Sequence, residues 1–213
     1  MLYRAGGTVV LCAVSVDEKV PPFLEGKGQG WLTAEYQMHP RANPRRQDRD
    51  GRGKAPSGRT QEIQRLVGRA LRAAVDLQRL GPRTLTIDCD VLEADGGTRT
   101  ASVTGGYVAL ALALAKVGAT RALREPIAAT SAGHLGEGGL ALDLCYVEDS
   151  AARVDLNVVA TASGKIVEVQ GTAEGEPVDR SEVDAMVDLA LGGIARLVLL
   201  QRATLRSAGV EVP

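Results

Sequence analysis

The tightest constraint on this chain is a change of hydrophobic period within one short span. Through "RTLTIDCDVLEAD" the apolar residues Leu85, Ile87, Cys89 and Val91 alternate with polar ones, the period of two that marks a half-buried strand. From Thr100 onward, "TASVTGGYVALALALAKVG" is long and rich in Ala and Leu, a helical composition. The join is "ADGGTRTASVTGG", Ala94 to Gly106, so Gly96 and Gly97 fall in a strand-to-helix turn. Glycine there permits positive φ and close backbone approach, and the first N–H groups of the helix have no intrahelical partners. Such a turn suits an anion. Thr98 adds a hydroxyl and Arg99 a two-pronged charged donor, the combination that grips a phosphate. Taken alone, Gly-Gly-Thr-Arg reads first as a turn with a threonine cap and a solvated arginine.

Other segments fill in the order of elements. Val9 to Val16 is a first strand, followed by "LEGKGQGW" and the extended piece "LTAEYQM". From Thr60, residues Ile63, Leu66, Val67, Ala70, Leu71, Ala74 and Val75 recur at helical spacing until Gly81 and Pro82 stop the helix. Arg65, Arg69 and Arg72 fall on a face turned from that stripe, where an arginine row is ordinarily solvated or ion-paired. Two strands, "LALDLCYVED" and "ARVDLNVVAT", precede a third, "KIVEVQG", and a last helix runs from about Ser181 to Leu205. This order predicts an α+β architecture, one globular domain or two closely fused halves.

Composition narrows the function. With 45% apolar residues the chain can bury a sizeable core, and a net charge of −1 gives no global signal for nucleic acid. Residues 41–59, "RANPRRQDRDGRGKAPSGR", hold six arginines and one lysine against two aspartates, a local +5 that leaves −6 elsewhere. Almost no apolar residue anchors this segment, which predicts a mobile basic loop carrying Arg45, Arg46 and Arg49 toward a polyanion. Cys12, Cys89 and Cys145 form no C-x-x-C pair and read as buried free thiols in a reducing compartment. The two histidines, His39 and His134, are too isolated for a His-based zinc site or a Ser-His-Asp triad. No apolar run reaches a membrane span and the start lacks a basic leader, so a cytoplasmic protein without a membrane partner is expected.

Asp143, Glu148, Asp149 and Asp155 gather carboxylates within otherwise apolar strands. Close carboxylates repel unless a proton or cation intervenes, so a strand-end pair is a candidate Mg2+ or Mn2+ site, against the alternative of a charged hairpin rim. An anion-shaped turn, a basic loop and a carboxylate cluster together describe phosphoryl chemistry on a polyanion.

The segments "GKGQGWLTAEYQM", "GRTQEIQRLVGRALRAAVDL", "DCDVLEADGGTRTASVTGG", "EDSAARVDLNVV" and "VEVQGTAEGEP" resemble those of the ribonuclease PH family, in that family's order and across nearly the whole chain. The resemblance implies a fold related to domain 2 of ribosomal protein S5 and a phosphorolytic 3′-to-5′ exoribonuclease that trims tRNA precursors with inorganic phosphate. It implies phosphate binding by Arg59, Gly97, Thr98 and Arg99, and a metal and acid catalysis at Asp149 and Asp155. For Arg65, Arg69 and Arg72 it implies RNA contact and assembly of a homo-oligomer, a hexameric ring of dimers. The chain opens "MLYRAGGTVVLC" where the family pattern has a further strand, so a shortened or missing first strand and an open sheet edge beside Val9 to Val16 are expected. The alternative is a non-catalytic RNA-binding subunit of an exosome-like ring, which would be expected to lose the phosphate or metal groups. A phosphate-binding small-molecule transferase fits the basic loop less well.

Overall fold

The computed structural model describes residues 1–137 and 139–213. It is a mixed α+β structure built on two four-stranded sheets. The first sheet holds β1 (Leu2–Ala5), β2 (Thr8–Asp17), β3 (Trp31–Met38) and β4 (Thr84–Glu93) in the order β1-β2-β4-β3. Its pairs are antiparallel except β3 with β4. The second holds β5 (Ile127–His134), β6 (Leu140–Leu142), β7 (Val154–Thr161) and β8 (Ile166–Ala173) in the order β6-β5-β7-β8, all antiparallel. Around them lie α1 (Gly58–Ala73), α2 (Leu77–Leu80), α3 (Thr98–Lys116), α4 (Tyr146–Ala151) and α5 (Arg180–Ser207).

The helix after the glycine turn, α3, is the element both sheets share. It packs on β2 and β4 on one side and on β5 on the other, and residues all around it are buried, including Ala101, Ser102, Val103, Tyr107, Val108 and Leu110. A helix apolar on every face belongs between two layers rather than on a surface. Small residues allow the approach: a Cβ on Gly105 would stand 2.8 Å from Cβ of Tyr3, and one on Gly106 3.1 Å from a Leu71 methyl. The larger core gathers α1, α3 and the first sheet around Leu32, Ile63, Leu71, Ile87 and Leu110. A second cluster joins β5 and β7 to α5 through Val154, Leu156, Val158, Met186 and Ile194.

Several expectations from the sequence require correction. The long helix ends at Ala73, and the single turn α2, capped by Asp76, fills the span up to Gly81. The strand expected over Leu140–Asp149 is only β6; the chain then turns through Asp143, with φ 60°, into α4, whose first residues are held by a capping box of Cys145 and Glu148. Cys145 is therefore half-buried at a helix start, while Cys12 and Cys89 are buried as expected. Strand β5 is an element that the hydrophobic pattern does not announce. The first strand is short, as expected: Leu2–Ala5 pairs with Thr8–Leu11 and covers only that part of the β2 edge. Arg59 lies within the first turn of α1 rather than ahead of it. Among the described residues no helix is long and apolar enough to cross a membrane.

A buried threonine ties the layers together. Where β6 no longer covers β5, Thr104 of α3 stands in for a neighbouring strand: its Oγ1 donates to the Ala129 carbonyl and accepts from the Ala129 N–H, both at 3.0 Å. Gln201 of α5 donates to the carbonyls of Thr104 and Ile127 at 2.9 Å each. Thr104→Val keeps the side-chain shape and strands two buried backbone groups, so it should lower the unfolding free energy in urea by about 1–3 kcal/mol for each group left unpaired. A variant as stable as the parent would remove Thr104 from this role.

Candidate active site

The two sheets meet across a cleft of about 1310 Å³. One wall is the basic loop, from which Arg46, Arg49, Arg52 and Lys54 face the opening, with Arg59 and Thr60 from the start of α1. The floor is the β4–α3 turn, Gly96, Gly97, Thr98 and Arg99. The far wall comes from the second lobe: Ser131 of β5, Tyr146, Asp149 and Ser150 of α4, Asp155 and Asn157 of β7, and Glu174 beyond β8.

The turn is built for close approach. Gly96 has φ 81° and Gly97 φ 56°, left-handed values that cost a β-carbon-bearing residue energy. A Cβ on Gly96 would also run into the carbonyl of Leu144, with the Cys145 carbonyl carbon 2.9 Å away. Thr8 Oγ1 fixes the turn by donating to the Gly96 carbonyl at 2.7 Å and accepting from the Asp95 N–H at 2.9 Å. Asp95 in turn accepts from the Tyr146 N–H at 3.2 Å, which links the turn to α4. No side chain caps α3, so its first N–H groups remain available to an anion.

The arginines converge beside Tyr36. The Tyr36 phenol and Thr98 hydroxyl are hydrogen-bonded at 2.8 Å. Burial raises the Tyr36 pKa, opposed by that hydrogen bond and by the positive charges of Arg59 and Arg99. A phenol kept protonated can donate to Thr98, which leaves the threonine O–H free to donate into the cleft. Arg99 is mostly covered, its Nη1 donating to Gln170 Oε1 at 2.9 Å and lying 3.7 Å from Glu62.

Only part of the expected carboxylate cluster enters this cleft. Asp155, on one strand face with Asn157, sits near Asp149. Burial first, then the Asp149 charge, raises the Asp155 pKa, and Arg99 pulls it down. Glu148 is occupied in capping α4, accepting from the Cys145 N–H at 2.9 Å. Asp143 lies instead on a second cavity of about 230 Å³ behind the turn, with Tyr3 and Arg196. Glu174, which no motif in the sequence singles out, joins the cleft. Among the described residues no group of three or more His, Cys, Asp or Glu side chains is close enough to form a metal site by itself.

The remaining arginines lie elsewhere. Arg45 is not among the residues lining the cleft. Arg69 pairs with Glu168 of β8 at 2.7 Å, Arg72 donates to the Leu32 carbonyl at 2.9 Å and lies 4.7 Å from the Trp31 ring centre, and Arg65 is exposed. The single arginine face read from helical spacing thus divides among three surroundings, one of them a cation–π contact.

Comparison with known proteins places the chain. The model of the 3′ exoribonuclease family, domain 1, matches residues 1–116, and that of the same family's domain 2 matches residues 125–193. The chain belongs to this family, the ribonuclease PH family. Its fold is shared with rice (Oryza sativa) Rrp46, at a TM-score of 0.75 and 16% identity over 95% of this chain and 86% of that one. It is shared too with the Archaeoglobus fulgidus exosome solved with RNA bound to the active site, at a TM-score of 0.73 and 19% identity over 92% of this chain and 80% of that one.

The basic loop is anchored at its midpoint by Asp50, which reaches the start of α1. Its carboxylate accepts from Thr60 Oγ1 at 2.6 Å, Ser57 Oγ at 2.8 Å and the Ser57 N–H at 3.0 Å. The hydrogen bonds from Thr60 and Ser57 hold its pKa down at about 2. A carboxylate depressed in the folded state contributes stability above its unfolded value of about 3.9, and that contribution fades as pH falls through the folded value. Asp50→Asn should therefore melt below the parent at pH 7, with the gap closing between roughly pH 4 and pH 2. Equal melting temperatures at pH 7 would show that the anchor carries no stability.

Proposed function

We propose that this protein is a phosphorolytic 3′-to-5′ exoribonuclease that trims tRNA precursors in the cytoplasm, transferring 3′-terminal nucleotides to inorganic phosphate and releasing nucleoside 5′-diphosphates. The observation that carries the reading is the convergence on one cleft of Arg59, Arg99 and the uncapped start of α3 with Asp149 and Asp155. A non-catalytic RNA-binding subunit has no use for this pairing of an anion cradle with close carboxylates. By resemblance, the reading extends to a homohexameric ring of dimers.

The reaction brings an anion to an anionic diester, so its first requirement is charge. Arg59, Arg99, the Thr98 hydroxyl and the N–H groups of α3 bind inorganic phosphate and hold it in line with the terminal diester. A phosphate oxygen bonds to the diester phosphorus as the bond to the preceding 3′-oxygen breaks. In this reading Asp155, whose pKa is raised by burial and by Asp149, manages the proton that the departing oxygen needs. The basic loop holds the RNA strand by its backbone. Mutual repulsion of Asp149 and Asp155 fits a hard cation, and a site of two carboxylates suits Mg2+ or Mn2+, which keep waters and take further oxygens from substrate. Asp149 and Asp155 would hold such an ion, and it would supply positive charge to offset that of the phosphate groups.

Arg99→Ala should lower phosphorolysis by roughly a hundredfold or more while RNA affinity stays near the parent's, since its partner is phosphate and not the polymer. Loss of RNA binding with unchanged phosphate saturation would contradict that role. Neutralising Arg46 and Arg49 should flatten the salt dependence of RNA binding by a slope of roughly 0.7 for each single-strand phosphate that the loop no longer neutralises, whereas Arg45→Ala alone should leave it unchanged. An identical slope in the double variant would detach the loop from RNA.

A further inference from the structure

The surroundings of Arg99 raise a question that the phosphate cradle leaves open: what keeps a long, flexible side chain aimed at one spot. Arg99 Nη1 donates to Gln170 Oε1 at 2.9 Å, Gln170 Nε2 donates to Glu62 Oε1 at 3.2 Å, and Glu62 Oε2 stands 3.7 Å from Arg99 Nη1. Three side chains from three elements close a ring, with Gln170 on β8 of the second lobe and Glu62 and Arg99 on α1 and α3 of the first.

We propose that Gln170 and Glu62 are positioning residues for the phosphate substrate, holding the Arg99 guanidinium from opposite lobes so that its free edge faces the cleft. The inference rests on the phosphorolytic reading above. Among the described residues the hydrogen bonds of this guanidinium run through Nη1, which leaves Nε and Nη2 for a two-pronged grip on an anion. The amide is the fitting group between a cation and a carboxylate, because its oxygen accepts from one while its nitrogen donates to the other. A neutral residue at position 170 also preserves the positive charge of Arg99 for phosphate, where a carboxylate would cancel it and repel Glu62. The strand carrying Gln170 is pinned to α1 by a neighbouring pair: Glu168, two residues earlier and on the same face of β8, meets Arg69 at 2.7 Å.

The test is calorimetric titration of inorganic phosphate into the full chain, alongside phosphate KM, RNA affinity and melting temperature. Gln170→Ala should weaken phosphate binding roughly tenfold, the loss of one hydrogen bond to a charged group, and raise KM for phosphate in step with kcat little changed. RNA affinity and melting temperature should remain those of the parent. Gln170→Glu should weaken phosphate binding further. Glu62→Ala should behave as Gln170→Ala does, and Glu62→Gln should restore binding because an amide oxygen still accepts from Gln170. Parental phosphate affinity in Gln170→Ala, or a loss shared equally by melting temperature and RNA affinity, would overturn the positioning role while leaving phosphorolysis standing. A parent chain that binds no phosphate would overturn the phosphorolytic reading and this inference with it.

Discussion

The cleft depends on one close approach, the backbone of Gly96 lying against the backbone of Leu144 and Cys145. Any side chain at Gly96 would hold the β4–α3 turn away from the second lobe, and its positive φ adds a cost for any residue with a Cβ. With the turn seated, Arg99 stands close enough to Asp155 to pull its pKa down, and Thr98 meets both Tyr36 and the cleft. Thr8 and Asp95 reinforce the same point from either side, one from β2 and the other through the start of α4. The anion cradle belongs to the first lobe and the carboxylates to the second, so this seam turns two half-sites into one.

Packing behind the seam makes it rigid. Because α3 is buried between the sheets, the direction of its N-terminus is fixed by the larger core and by its packing on β5 rather than by a surface loop. Thr104 joins its middle to β5, and Gln201 joins that point to α5. A shift of α3 large enough to misaim Arg99 would break buried hydrogen bonds some distance from the chemistry. That is the second-layer support which a precisely aimed charged group requires.

How much of this is legible in the sequence varies with the physics of each segment. Strand β4, its glycine turn and α3 are plain because the period changes abruptly between them, and β7, β8 and α5 carry clear patterns of their own. Strand β5, Ile127–His134, shows no alternation because it is buried on both faces and its residues are small and uniform. Helix α4 is a single short stretch after a strand and shares its apolar–acidic texture, so it reads as strand continuation, and this puts Asp149 on the wrong element. The cradle residues and the aspartate pair are identifiable in type and in the resemblance to the ribonuclease PH family. Gln170 and Glu62 are not, since their meeting with Arg99 depends on strand β8 of one lobe reaching α1 of the other, and no spacing along the chain encodes it. The arginine row illustrates the converse: regular spacing on α1 is visible, yet Arg69 and Arg72 each find a different partner within the chain.

The central claim is that phosphate held by the first lobe attacks RNA at the carboxylates of the second. The most direct measurement supplies RNA with a short 3′ tail together with isotopically labelled inorganic phosphate and identifies the released nucleotide by mass and label position. Nucleoside 5′-diphosphates with the label in the β-phosphoryl group, formed only when phosphate is present, are the expected products. Unlabelled nucleoside monophosphates, or RNA bound but never shortened, would contradict the claim.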